Sequence, residues 1–242
     1  MMFYMTRTKW IIFILICFGI LGFTLVTKKT EPTFTGDATK VISQGPIADR
    51  VYGSHDQKVI LVEYGDFQCP ACGQMYPTVK EIKETYKNQL TFVFRNMPLT
   101  SIHPNALAAA TVAEAAGQQG KFFDMFDLLY QNQNTWQGAS VSSRGAIFEG
   151  YAKSLGLNSN QFKNDLDSST VSDKLARDHS TSQQFNVDAT PTFILNGKKL
   201  PSSTALNAEA LKKAVTDALQ QAGYTLPPVT STAQPATAPA EQ

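Results

Sequence analysis

Charge of one sign, cysteine and histidine are all scarce in this chain. Its 242 residues carry a formal net charge of +1, three histidines and three cysteines. A near-neutral balance offers no basic surface for nucleic acid, which excludes that class of partner. Cys17, Cys69 and Cys72 are too few for a disulfide-stapled scaffold, so the fold has to rest on an apolar core. No second CxxC and no paired histidines at ligand spacing are present, so the four ligands of a structural zinc cannot be assembled. No metal and no other bound cofactor is expected. What remains is one pair of cysteines outside the N-terminal apolar run, free to carry electrons.

That apolar run, residues 10–26, follows Arg7 and Lys9 and contains no charge. It lies at the lower limit for a spanning helix and above a typical signal-peptide core, and no A-x-A-like cleavage site follows it. Residues 1–29 are therefore expected to be a membrane anchor or uncleaved signal, with Cys17 facing the membrane. Arg7 and Lys9 are balanced by Lys28 and Lys29, and the terminal amine tips the orientation. The N-terminus is expected inside the cell membrane, with the rest of the chain extracytoplasmic. Residues 30–57 contain Pro32, Gly36, Gly45, Pro46 and Gly53 and read as a linker with one short strand near 40–42.

The chemistry is concentrated in residues 59–77, VILVEYGDFQCPACGQMYP. The β-branched run 59–62 predicts a strand. The pattern over 69–87 predicts a helix with Met75, Val79, Ile82 and Tyr86 on one face, kinked at Pro77. The two cysteines stand at that helix's start, where unpaired N–H groups and the positive end of the dipole favour a thiolate. Cys69 is thus the expected nucleophile, and Cys72, one turn on, the resolving thiol. A small inert buried cysteine is the alternative, and a position outside the regular elements speaks against it. The dipole alone lowers a thiol pKa by about one or two; more requires N–H or S–H donors from Ala71 and Cys72. Glu63 is either a solvated strand-end carboxylate or a partly buried one beside Cys72, taking the proton that Cys72 loses. Asp66 reads as a turn residue. His103, before Pro104, reads as a capping or surface residue, with an active-site neighbour as the alternative, and His55 and His179 as surface residues.

Further along, residues 90–95 form an apolar strand suited to burial on both faces. Strand, helix and strand in this order predict a right-handed parallel unit. Helices are expected over 104–118, with proline in the first turn, and over 121–131, with Phe122, Phe126 and Leu129 on one face. Another is expected over 142–155, with Ile147, Tyr151 and Leu155 on one face, and two more over 160–166 and 172–185. A strand at 192–195, a hairpin turn at Asn196-Gly197 and an edge strand at 198–200 follow. A closing helix over 207–222 buries Leu211, Val215 and Leu219. Residues 225–242 are rich in Pro, Thr and Ala and read as a disordered tail.

The stretch DFQCPAC and the downstream VDATPTFILNGK, residues 187–198, together resemble the thioredoxin fold. Proline first between the cysteines is similar to the DsbA-type thiol:disulfide oxidoreductases. The resemblance spans residues 58–224. It implies an α/β thioredoxin-like fold, a central mixed sheet flanked by helices, with a helical subdomain inserted at about 102–187. It implies a redox-active Cys69–Cys72 disulfide and a cis-proline, Pro191, turning the backbone of Thr190 towards Cys69 to pair with extended substrate. On composition alone such a bond would be trans in roughly 95% of cases. Pro70 and Ala71 complete the expected substrate-facing surface, and an acidic residue at the place of Glu63 occurs in the family. Ala71 stands where many strongly oxidising relatives place a histidine, which implies a weaker thiolate and a less oxidising disulfide than theirs.

The activity this implies is disulfide exchange with thiols of exported proteins, as an oxidase reoxidised by a membrane redox partner. The same site run in reverse is a reductase, or an isomerase. The linker is too short for the separate dimerisation domain of related isomerases, so a monomer is expected. From a different class comes a non-catalytic thioredoxin-fold chaperone or binding module, against which the intact CxxC argues.

Overall fold

Two apolar runs at residues 59–62 and 90–94 are too short for helices and rich in β-branched and aromatic side chains, a composition suited to buried strands. The computed structural model, which describes residues 47–226, places them side by side. Strand β2 (Val59–Gly65) runs parallel to β3 (Leu90–Asn96), from Val59 opposite Leu90 to Gly65 opposite Asn96, and both are buried throughout. Helix α1 (Pro70–Thr85) connects them and continues past Pro77. The expected membrane segment at 10–26, the strand expected near 40–42 and residues 227–242 lie outside the described residues.

Antiparallel strands complete the sheet. β1 (Arg50–Tyr52) pairs with β3, and β4 (Thr192–Leu195) with β2. β5 (Lys198–Lys199) pairs with β4, giving the order β1-β3-β2-β4-β5. The mixed sheet is the one expected. Asn196 and Gly197 turn β4 into β5 with φ of 49° and 80°, the left-handed pair that a two-residue hairpin needs.

β1 was not expected, since residues 30–57 read as linker. Three residues carry little pattern of their own, and long-range contacts fix this strand. Arg50 pairs with Glu114 at 2.6 Å, and the Tyr52 ring covers the Lys83 ammonium at 4.3 Å.

Side chains alternate across β2 and β3, so the sheet has two apolar faces. Ile60, Val62, Tyr64, Val93 and Ile194 form the smaller cluster. Val59, Leu61, Phe92 and Phe94 belong to the larger one. That cluster also holds Cys72, Met75, Val79 and Ile82 of α1, together with Leu211, Val215 and Leu219 of the closing helix.

The helical insertion packs on the sheet face that carries Phe92 and Phe94, with the Phe126 ring 5.0 Å from that of Phe94. It contains α2 (Ala106–Gln118), α3 (Phe122–Gln131), α4 (Gln133–Trp136), α5 (Val141–Ser154), α6 (Ser159–Leu166) and α7 (Ser169–Gln184). Ser140, Asn158 and Ser168 accept N–H bonds at the starts of α5, α6 and α7, as N-cap residues do. After β5 come the short α8 (Ser202–Ala205) and α9 (Ala208–Gln221).

Three expectations for the helices need correction. α2 starts two residues beyond Pro104, because the Asn105 side chain is bound to the carbonyls of Gln137 and Ala139. α5 buries Phe148 and Ala152, while Ile147, Tyr151 and Leu155 lie half-buried beside them. The four-residue helices α4 and α8 were missed, being too short to show periodicity. Among the described residues no helix is long and apolar enough to cross a membrane.

A buried ionic network docks the insertion on β3. The Asn96 amide donates to Glu114 at 2.7 Å, and its backbone N–H to Asp178 at 2.9 Å. Lys174 pairs with both carboxylates, and all three charged side chains are buried.

Candidate active site

β2 ends at Gly65, and Asp66 turns the chain. Its carbonyl accepts the Cys69 N–H at 3.0 Å, and its Oδ1 accepts the Gln68 N–H at 2.8 Å. Its Oδ2 accepts the Leu99 N–H at 2.9 Å and lies 2.7 Å from His103 Nδ1. Asp66 is therefore the turn residue expected, and His103 is tied to it by its ring while its carbonyl accepts the Ala106 N–H at 3.1 Å at the start of α2.

Cys69 is the N-cap of α1, extended at φ −66° and ψ 122°, with Pro70 opening the helix. Cys69 and Cys72 are free thiols and both buried, Cys69 at 7% exposure and Cys72 at 0%. Pro70 is exposed and Ala71 half-buried at the rim.

The insertion holds this turn. Gln133 Nε2 donates to the carbonyls of Phe67 at 2.7 Å and Cys69 at 2.9 Å. Gln68 inserts in the opposite sense, donating to the Gln137 carbonyl at 2.7 Å and accepting the Asn105 N–H at 2.6 Å. Gly73 permits the approach of Gln133, since a Cβ there would lie 2.5 Å from its Oε1. Sequence reasoning missed Gln68, Gln133 and Asn105. The one available signal was Gly73 inside a helical pattern, a mark of close packing.

Thr190 and Pro191 come from the loop before β4. The peptide bond between them is cis, as the resemblance implied, and the Cys69 sulfur lies 3.5 Å from the Thr190 carbonyl oxygen. The register of β2 with β4, Tyr64 opposite Thr192, brings that loop to the CxxC turn.

Glu63 shares its side of β2 with Leu61 and Gly65 and points into the cluster that contains Cys72. At 1% exposure it is not a solvated strand-end carboxylate. Its Oε2 is buried without a hydrogen bond. Burial, reinforced by negative charge on Cys69, pushes its pKa up to about 8.

The two thiols move in opposite directions. The Cys72 S–H bond to its sulfur lowers Cys69 to about 5; burial opposes this, while Thr190 and the N–H groups of Cys72 and Ala71 support it. Burial first, then that same hydrogen bond and the charge on Glu63, holds Cys72 well above the ordinary thiol range. This split suits Cys69 to nucleophilic attack and Cys72 to holding a proton. His55 and His179 are exposed, as expected. Among the described residues no cluster of three or more His, Cys, Asp or Glu side chains could hold a metal ion.

A family model described as thioredoxin matches residues 46–217. The chain is similar to the Na(+)/H(+) antiporter NhaA 1 of Salinispora arenicola, 40% identical over 173 residues, which cover 72% of this chain and 25% of that protein. It is also similar to the Na(+)/H(+) antiporter NhaA 3 of Salinispora tropica, 37% identical over 177 residues, 73% of this chain and 26% of that one. The chain thus spans about a quarter of the length of these curated relatives.

Among solved structures, BdbD from Bacillus subtilis in its oxidised form aligns with a TM-score of 0.59 and 24% identity, covering 71% of this chain and 93% of that one. The alpha-DsbA1 of Wolbachia pipientis aligns with a TM-score of 0.63 and 16% identity, covering 77% and 98%. A thioredoxin-like oxidoreductase from Silicibacter pomeroyi gives 0.58 at 22% identity, covering 72% and 92%. At these identities the likeness is one of fold.

Proposed function

The chain belongs to the thioredoxin family and has the DsbA-like fold, and from that premise we propose that it oxidises thiols of exported proteins. A substrate thiolate attacks the Cys69 sulfur of the Cys69–Cys72 disulfide. The S–S bond breaks, and its electron pair leaves on Cys72. Glu63, neutral below about pH 8, gives its proton to that sulfur. A second substrate thiolate then attacks the substrate sulfur of the mixed disulfide, and Cys69 leaves as a thiolate. Two electrons have passed from the substrate dithiol to the protein, and the substrate keeps the new disulfide. Run in reverse, the Glu63 carboxylate takes the proton that Cys72 must lose.

The observation that carries this direction is the place of Cys69 as N-cap of α1, where the Cys72 S–H and the N–H groups of Ala71 and Cys72 act on its sulfur. They favour the thiolate, hence the reduced protein, and so make the disulfide the stronger oxidant. The Thr190 backbone beside the sulfur supports pairing with an extended substrate chain, with Pro70 and Ala71 at the rim. The uncharged residues 10–26 after Arg7 and Lys9 support an N-terminal anchor that leaves the catalytic domain extracytoplasmic. A membrane redox partner there would take the electrons from the dithiol, and the protein would act as a monomer. In Cys72→Ser the internal disulfide cannot form, but the Cys69 thiolate can still attack a disulfide of an oxidised substrate and no resolving thiol is left to release it, so mixed disulfides between Cys69 and that substrate should accumulate on non-reducing gels. Their absence would contradict the exchange mechanism.

A further inference from the structure

A cleft of about 330 Å³ opens beside the redox pair and has no part in the steps above. The first turn of α1 forms one wall, with Pro70 and Gln74, and the insertion forms the other, with Gln131, Gln133, Asn134 and Gln137. Five carboxamides line it, and no charged side chain does.

Part of their hydrogen-bonding capacity is already committed. Gln133 Nε2 holds the Phe67 and Cys69 carbonyls. Gln131 Nε2 donates to the Tyr76 hydroxyl at 2.8 Å, and Gln137 Nε2 donates to Asn134 Oδ1 at 2.9 Å. What these bonds leave over is the amide oxygens of Gln131 and Gln137, the Asn134 NH₂ group and both ends of the exposed Gln74. Donors and acceptors therefore stand side by side without net charge. An anion or cation would find no counter-charge there, and an apolar segment would leave these groups unpaired. An extended polypeptide backbone presents N–H and C=O in alternation, the complementary pattern.

The position fits the same ligand. Pro70 joins the cleft directly to Cys69, whose sulfur lies 3.5 Å from Thr190 on the other motif. We propose that the cleft binds the main chain of the substrate polypeptide, next to the cysteine linked to Cys69. Recognition is of backbone rather than side chains, so the cleft takes unfolded chains of varied sequence. This rests on the oxidoreductase reading and deepens it.

The test is steady-state exchange by the full chain, kept oxidised by excess hydroxyethyl disulfide, with two probes, a reduced unfolded polypeptide containing two cysteines and reduced glutathione. The double variant Gln74→Ala with Asn134→Ala removes two carboxamides that make none of the Gln133 clamp bonds to the Phe67 and Cys69 carbonyls. The KM for the polypeptide should rise about two- to tenfold more than that for glutathione, with kcat for the polypeptide little changed. Exchanging the two amide types, Gln74→Asn with Asn134→Gln, should recover most of the loss. An unchanged polypeptide KM overturns the proposal, and so does an equal rise for both probes, which would place the defect in the redox turn. No exchange by the unaltered chain with either probe would overturn the oxidoreductase reading itself, and the cleft's role with it.

Discussion

The Cys69 sulfur and the Thr190 carbonyl oxygen lie 3.5 Å apart although 121 residues separate them in the chain. The sheet makes this contact. β2 ends in the turn that carries Cys69, β4 begins just after Pro191, and the two strands are antiparallel neighbours. The thiol of one motif thereby faces the backbone of the other.

Cys69 should titrate far below an ordinary thiol. Alkylation by iodoacetamide, followed against pH on the reduced protein, should show a midpoint near 5. The largest favourable contribution is the Cys72 S–H bond, so Cys72→Ala should move the midpoint upward. A midpoint in the ordinary thiol range for the unaltered protein would contradict the site geometry.

Glu63 and Cys69 should impose opposite pH dependences on stability. Glu63 rises from its ordinary 4.5 to about 8, so between those values the folded state holds a proton that the unfolded state has lost. Stability contributed by Glu63 therefore falls as pH rises through that window. Cys69 falls from 9.0 to about 5, so its contribution grows as pH rises from 5 to 9 and is lost as pH falls through about 5. In the reduced protein the two slopes offset each other between roughly pH 5 and 8. Urea denaturation should show a shallow profile for the reduced protein, and a rising one for reduced Glu63→Gln. The same substitution should slow disulfide exchange by roughly 10²-fold, the lower end for a general acid, with loss of the break near pH 8.

How much of this could be read from the residues depended on distance along the chain. The CxxC device is local: a strand, a turn and a helix start are all written within residues 59–77. Thr190-Pro191 was reached by resemblance. Glu63 was left between two readings, and the alternation of Val59, Leu61 and Glu63 on one side of a doubly buried strand decides between them. Gln133 carries no such signal. It is one of many glutamines until the insertion folds back over 64 residues to the Cys69 carbonyl. The Glu114, Lys174 and Asp178 network was equally invisible, because charges on amphipathic helices ordinarily face solvent.

The Gln133 clamp should be worth more than its solvent exposure suggests. Gln133→Leu leaves the Phe67 carbonyl without its donor inside the protein, at a cost of about 1–3 kcal/mol in stability. Gly73→Ala places a Cβ 2.5 Å from Gln133 Oε1 and should weaken the same contact. Both should also shift the Cys69 titration, which a remote packing defect would not move. Urea midpoints with parallel alkylation profiles check this.

Lys174 should be among the most sensitive positions away from the redox pair. Lys174→Met leaves Glu114 and Asp178, both fully buried, close together without their shared cation. The expected loss is about 3–5 kcal/mol, read by urea denaturation. A variant as stable as the parent would mean that the ionic network does not hold the insertion to β3.

The reduction potential of the Cys69–Cys72 pair, equilibrated against glutathione buffers with the full chain, tests the central claim most directly. An oxidase with a stabilised Cys69 thiolate should lie between roughly −120 and −180 mV. A value near about −270 mV would make the protein a reductase, and the absence of any reversible two-electron transition would contradict the redox function altogether.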